Sequence, residues 1–175
     1  QFVIKTNKKT YYADKVIIAT GSKSFPKTGS TGYGNIVADK FGIETKTFYP
    51  AETSVYCSFV QKNKEYLQGI SIQGARVSIK GTKISLKGDL LFTHFGLSGP
   101  AIFHLSETIY HELKNGNNIV EVSLSNEKET VVRNELEEGN SQIHILKFLE
   151  QYTYKRVSRF LLNYLNLENQ KIARI

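Results

Sequence analysis

Methionine and tryptophan are missing from all 175 residues, and cysteine occurs once, at Cys57. A single thiol excludes an intramolecular disulfide and a cysteine-based metal site. Within Ser54-Val55-Tyr56-Cys57-Ser58-Phe59 that thiol reads as a small core hydrophobe rather than a redox centre. The missing methionine extends to the first position, so the chain reads as a piece of a longer protein. No stretch approaches the roughly 18 apolar residues of a membrane span, and the start lacks the basic-then-apolar pattern of a signal peptide. These absences point to a soluble, cytoplasmic protein with no membrane partner. Acidic residues are also short, with 16 Asp and Glu against 23 Lys and Arg, a net charge of +7. The excess is spread: residues 141–175 carry six basic and two acidic side chains, residues 126–140 two basic and five acidic. Charge so distributed suits solvated lysine faces and does not by itself call for a nucleic-acid partner. The length suffices for one core, or one core with a small annex.

The stretch with most chemistry is Lys15 to Gly34, KVIIATGSKSFPKTGSTGYG. Val16-Ile17-Ile18-Ala19 is a short apolar run rich in β-branched residues, which predicts a strand covered on both faces. It stops at Thr20-Gly21-Ser22, a small-residue corner where backbone can approach a ligand. Gly29, Gly32 and Gly34, with Ser30 and Thr31 between them, add free N–H groups and hydroxyls suited to a phosphate or the edge of a flavin ring. The same residues also suit a buried strand followed by an ordinary glycine-rich turn. Before this stretch, Phe2–Thr6 and Thr10–Ala13 flank Asn7-Lys8-Lys9 and predict a hairpin. After it, Asn35 to Phe41 has helical spacing and Gly42 a natural stop, and 43–49 predicts a strand leaving one domain, with Pro50 as the boundary.

Beyond Pro50 the pattern predicts strands at 54–60, 69–72, 75–79, 83–86 and 90–93, with turns at Gln73-Gly74, Gly81-Thr82 and Gly88-Asp89. Alternation in 75–80 and 82–87 marks an antiparallel sheet with one wet face, curled or closed into a small barrel. The second dense motif is Gly88-Asp89-Leu90-Leu91-Phe92-Thr93-His94-Phe95-Gly96-Leu97-Ser98-Gly99-Pro100-Ala101. Here Ser98 is placed to cap a helix with Pro100 in its first turn, and Ile102, Leu105, Ile109 and Leu113 form its apolar stripe. His94 and Ser98 are candidate catalytic residues, beside the reading of His94 as a histidine satisfied by hydrogen bonds. Residues 118–124 predict one more strand. The remainder, 126–175, is helical, with segments 127–138, 144–151 and 154–167, and with Lys155, Arg156 and Arg159 on the open side of the last.

Two strings carry a family resemblance. Ala13-Asp14-Lys15-Val16-Ile17-Ile18-Ala19-Thr20-Gly21 resembles the second FAD-contacting segment of flavoproteins with two dinucleotide-binding domains. Together with Ser22 to Gly32 and with the Gly88–Ala101 motif, it is similar to the bacterial BaiN/RdsA-type NAD(P)/FAD-dependent oxidoreductases, the aminoacetone oxidase-type FAD-binding flavoproteins. Tyr33 and Asn35 depart from the acidic and tyrosine positions common in that family. The resemblance implies an α+β chain: a short piece of a FAD-binding α/β domain over 1–50, then an antiparallel, barrel-like insert domain over 51–175, β-rich to 125 and helical beyond.

It further implies FAD in the complete protein, contacted by Ala19, Thr20, Gly21, Ser22, Gly29, Ser30, Thr31, Gly32 and Gly34. NAD(P)H would be the electron donor, a small-molecule substrate would meet the insert domain, and His94 and Ser98 would orient it or shuttle a proton. The rest of the FAD-binding domain would be a partner, since no G-x-G-x-x-G occurs here, and the piece alone would be inactive. The competing reading is a non-catalytic module, for dimerisation or for RNA or another acidic partner on the basic helices after Gln142.

Overall fold

The computed structural model describes residues 1–125, 127–138, 143–167 and 172. Lys171 and Arg174, counted in the basic carboxyl-terminal stretch, and residues 126 and 139–142 of the expected helical segment lie outside the described residues. The chain divides into two compact units, Gln1–Phe48 and Tyr49–Ile175.

In the first unit, β1 (Phe2–Lys5) pairs antiparallel with β2 (Thr10–Ala13), Phe2 opposite Ala13 and Lys5 opposite Thr10. Thr6 closes the hairpin, its hydroxyl donating to the Lys9 carbonyl at 2.8 Å and accepting the Lys8 and Lys9 N–H groups. The expected strand at Val16–Ala19 does not form, and Ile17 is 91% exposed. A strand apolar on both faces is held by neighbours at both edges and by layers above and below. Within this unit the only sheet is the two-stranded β1–β2 pair, and the apolar run joins no sheet. The strand expected over 43–49 is absent for the same reason. A single 3₁₀ turn covers Pro26–Thr28, and α1 (Tyr33–Lys40) starts two residues before the predicted helix and stops ahead of Gly42, at φ +70°.

The second unit is a five-stranded, fully antiparallel, curled sheet in the order β3-β6-β5-β4-β7, with helices packed on it. The strands are β3 (Val55–Tyr56), β4 (Ser71–Ile79), β5 (Ser85–Phe92), β6 (Gly96–Ser98) and β7 (Val120–Val122). Three strand expectations are corrected. Only two residues of 54–60 pair, because Cys57 turns the chain into α2 (Ser58–Lys62), followed by α3 (Lys64–Leu67). The strands expected at 69–72 and 75–79 are one strand, and so are those at 83–86 and 90–93.

The residues read as turns between them make a bulge. The register with β5 slips between Ile72 and Ala75, and Gly74, at φ +60°, donates its N–H to Asp89 Oδ1 at 2.9 Å. Ile72 and Ala75 differ by an odd number of residues, so without the extra residue they would face opposite sides. With it, Ile72, Ala75, Val77 and Ile79 all enter the core.

Helix α4 (Pro100–Lys114) lies on β4, β5 and β6. Ile102, Leu105 and Ile109 are buried, whereas Leu113, the last of the predicted stripe, is 49% exposed. Gly88 permits this approach: a Cβ there would lie 3.3 Å from that of Ala101. The later helices are α5 (Glu129–Glu138), α6 (Ile145–Leu149) and α7 (Lys155–Tyr164). Val157 and Phe160 of α7 join the sheet core, each buried aliphatic or aromatic side chain contributing about 1.5–3 kcal/mol.

Candidate functional site

The loop of the first unit folds back on itself through its glycines. Gly21, at φ +72°, lies against Ser30, where a Cβ would come 2.7 Å from the Ser30 Cβ. Gly34 lies beside Thr20 Oγ1, and Gly32, also at φ +72°, is buried under the Lys23 side chain. Thr20 to Lys23 is thus docked on Ser30 to Gly34, which brings together most of the cofactor-binding candidates. Ala19, Thr20, Gly21, Gly29 and Thr31 are exposed, and Ser22, Ser30 and Gly34 are half-buried.

Hydroxyls brace the loop from inside. Ser22 Oγ donates to Ser24 Oγ at 2.9 Å and accepts the Ser24 N–H, while Thr28 and Ser30 both donate to the Phe25 carbonyl. Ser24, Thr28 and Lys23 are the supports that residue pattern alone did not single out. For Ser24 and Thr28 the signal is the two-residue spacing of hydroxyls that bond local backbone; Lys23, which covers Gly32 with its alkyl chain, carries none. With the Ser22, Thr28 and Ser30 hydroxyl protons engaged, the groups open to a polar ligand include the exposed residues Ala19–Gly21, the exposed Thr31 and the N–H groups of Tyr33 and Gly34 at the start of α1, whereas the Asn35 N–H is bonded to the Gly32 carbonyl. Such a set fits a ligand that lays a phosphate or a flat ring edge on backbone.

In the second unit, Thr93 ties the β5–β6 turn. Its Oγ1 accepts the Phe95 and Gly96 N–H groups and donates to the Gly96 carbonyl. His94 stands exposed on that turn, its ring edge-on to Phe95 at 5.0 Å. Ser98 is buried at the other end of β6 and accepts the Ser54 hydroxyl at 2.8 Å. The two candidates therefore do not converge. Ser98 is not the helix cap either. Gly99 holds that position at φ +97°, because a Cβ there would sit 2.7 Å from the Asp89 carbonyl oxygen.

Other polar residues of this unit escaped the sequence reading. Ser106 is buried on α4, bonded to the Phe103 carbonyl and accepting the Thr53 N–H. Tyr49 stacks on Tyr110 at 6.0 Å, and the hydrogen bond of its hydroxyl to Glu107 raises its pKa above the ordinary tyrosine value. A groove of about 440 Å³ opens between the sheet's two edge strands, lined by Val55, Cys57, Leu97, Ile109, Glu112 and Ile119 among others. Among the described residues no group of three or more His, Cys, Asp or Glu side chains could hold a metal ion, and no helix is long and apolar enough to cross a membrane.

Residues 49–175 match the family described as HI0933-like protein barrel and H2TH domain. The chain is 31% identical over 107 residues to the ribosomal RNA dihydrouridine synthase of Haemophilus influenzae, and 29% identical over 109 residues to the protein of that name in Escherichia coli. The alignments cover 61% and 60% of this chain and 26% of each relative, so the chain spans about a quarter of the length of the relatives it matches.

Proposed function

Since the chain belongs to the HI0933-like barrel and H2TH family, we propose that it is part of a FAD-dependent oxidoreductase, and that the complete protein reduces a uracil base in ribosomal RNA. The observation that carries this reading is the shared name of the two relatives. The flavin half rests on the resemblance of Ala13–Gly34 to a FAD-contacting segment and on the exposed backbone of Ala19–Gly21. Saturating a uracil C5=C6 bond takes a hydride at one carbon and a proton at the other. FAD supplies the hydride when bound, with NAD(P)H as its source.

The residues of this chain then have three tasks. Thr20, Gly21 and the Gly29–Gly34 segment hold the cofactor through backbone. The second unit covers the substrate side. His94, exposed on its turn, orients the base or passes the proton, while the Ser54–Ser98 hydroxyl pair holds β6 in place.

The test is made on the complete protein. After mixing with FAD and desalting it should stay yellow, and with NAD(P)H and ribosomal RNA it should yield dihydrouridine, seen by mass spectrometry as uridine heavier by two hydrogens. His94→Ala should lower turnover about ten-fold or more with flavin content unchanged. A yellow protein that leaves RNA unmodified but oxidises NAD(P)H with a small-molecule substrate would replace the RNA half of the proposal, and a colourless one would remove both halves.

A further inference from the structure

Helix α7 carries three basic side chains and no acidic one. At about 100° per residue, Lys155, Arg156, Arg159 and Asn163 fall within one arc of about 100°. All four are exposed, while Val157, Ser158, Phe160 and Leu162 are buried. One side of the arc is pinned: the Arg156 guanidinium donates to the Gln68 carbonyl, and Asn163 Nδ2 donates to the Tyr66 hydroxyl at 3.2 Å. Next around the helix come Phe160 and Tyr164, stacked at 5.6 Å, with Phe59 edge-on to both at 5.9 and 5.2 Å. Tyr164 is 57% exposed and Phe59 41%.

The three cations thus share one exposed face of α7, with Arg156 next to the ring cluster and Lys155 and Arg159 farther around the helix, and of the rings Phe59 and Tyr164 are exposed while Phe160 is buried. Among the described residues, neither ion pair of the structure involves α7. Helices α2 and α3 add Lys62 and Lys64 against the single acid Glu65. Clustered charge of one sign repels itself and calls for a polyanion. Rings next to it offer faces on which unpaired bases stack, worth about 1–3 kcal/mol each. Cations for phosphates and exposed rings for bases together describe single-stranded nucleic acid better than an acidic peptide.

We propose that the exposed arc of α7, with Phe59 and Tyr164 beside it, is the surface on which the complete protein holds single-stranded RNA, a proposal that rests on the RNA reading above.

The experiment measures binding of a fluorescent single-stranded oligonucleotide of ribosomal RNA sequence to the complete, FAD-loaded protein over a range of salt. Removing two cations with the double variant Lys155→Ala/Arg159→Ala should raise Kd about ten-fold and flatten the slope of log Kd against log salt by about 1.4. Tyr164→Ala should raise Kd with the slope unchanged. The double variant Lys83→Ala/Lys87→Ala removes the same charge from the exposed β4–β5 hairpin and should leave Kd within two-fold. Equal losses from the two double variants, or none from the first, would overturn the surface.

Dihydrouridine formation is read on the same preparations. Modification by the parent protein with unimpaired binding by the α7 variant removes the surface and leaves the function. Binding lost through α7 without modification by the parent keeps the surface and removes the function. A parent protein that neither binds nor modifies RNA removes both.

Discussion

Replacing Gly96 with alanine should detach an edge strand from the sheet of the second unit. A Cβ at this position would lie 2.1 Å from the Val55 carbonyl oxygen and 2.6 Å from the Cys57 nitrogen. Both are backbone atoms, so no rotamer change relieves the overlap. β3 would have to retreat by more than about 1 Å to reach van der Waals distance. That separation opens the pairs Val55–Leu97 and Tyr56–Gly96 and the Cys57 N–H bond to the Phe95 carbonyl. On the order of three hydrogen bonds at about 1 kcal/mol each gives a loss of ~3 kcal/mol.

Gly116→Ala is the matched control. That glycine sits at φ +86°, and an added Cβ would meet nothing within 4 Å, so only the left-handed backbone opposes alanine, at about 1 kcal/mol. Urea unfolding followed by far-ultraviolet circular dichroism reads the difference. With a slope of about 2 kcal/mol per molar, Gly96→Ala should move the midpoint down by about 1.5 M and Gly116→Ala by about 0.5 M. Equal shifts for the two variants would refute the argument from close packing.

The same contrast applies to the loop of the first unit. Gly21→Ala adds a clash with Ser30 to the strain of a positive φ, whereas Gly29, at φ +86°, has nothing within 4 Å. In the complete protein Gly21→Ala should weaken FAD retention about ten-fold relative to Gly29→Ala, measured by absorbance after desalting; equal retention would count against the loop as a cofactor contact. Asp89→Ala removes the acceptor of the Gly74 bulge and should cost about 1 kcal/mol in the urea assay, with Asp89→Asn retaining part of it. The Tyr152 hydroxyl donates to Glu135, which pushes its pKa up to about 12. A pKa raised in the folded state stabilises below the unfolded value of about 10 and loses that contribution as pH climbs through about 12. Stability should therefore fall between pH 10 and 12 in the parent chain and fall less in Tyr152→Phe.

The hairpin of Phe2–Ala13, the alternating strands of the curled sheet, helix α4 and the helical carboxyl-terminal part were legible because each carries its own period and its own punctuation. Position within those elements was less so. Gln73-Gly74 and Gly88-Asp89 have turn composition, yet they form the two sides of a bulged strand pair, since the Asp89 carboxylate and the Gly74 N–H meet only when β4 and β5 lie side by side. Ser98 precedes a proline-started helix as a cap would, but packing against the Asp89 carbonyl reserves the cap position for glycine. Val16–Ala19 has the composition of a buried strand, and strand formation needs sheet neighbours that the first unit, with its single hairpin, does not provide.

For the candidate site, sequence determined which residues are small, hydroxylated or basic, and therefore which loop could admit a ligand. It also determined that α7 has a basic face, because the helical period and the absence of acids are properties of ten consecutive residues. Only the tertiary structure decided that Gly21 leans on Ser30, that His94 and Ser98 stand at opposite ends of one strand, and that Phe59 meets Phe160 and Tyr164 beside the basic arc. Those are relations set by how the segments fold and pack on one another rather than by the preference of any one residue.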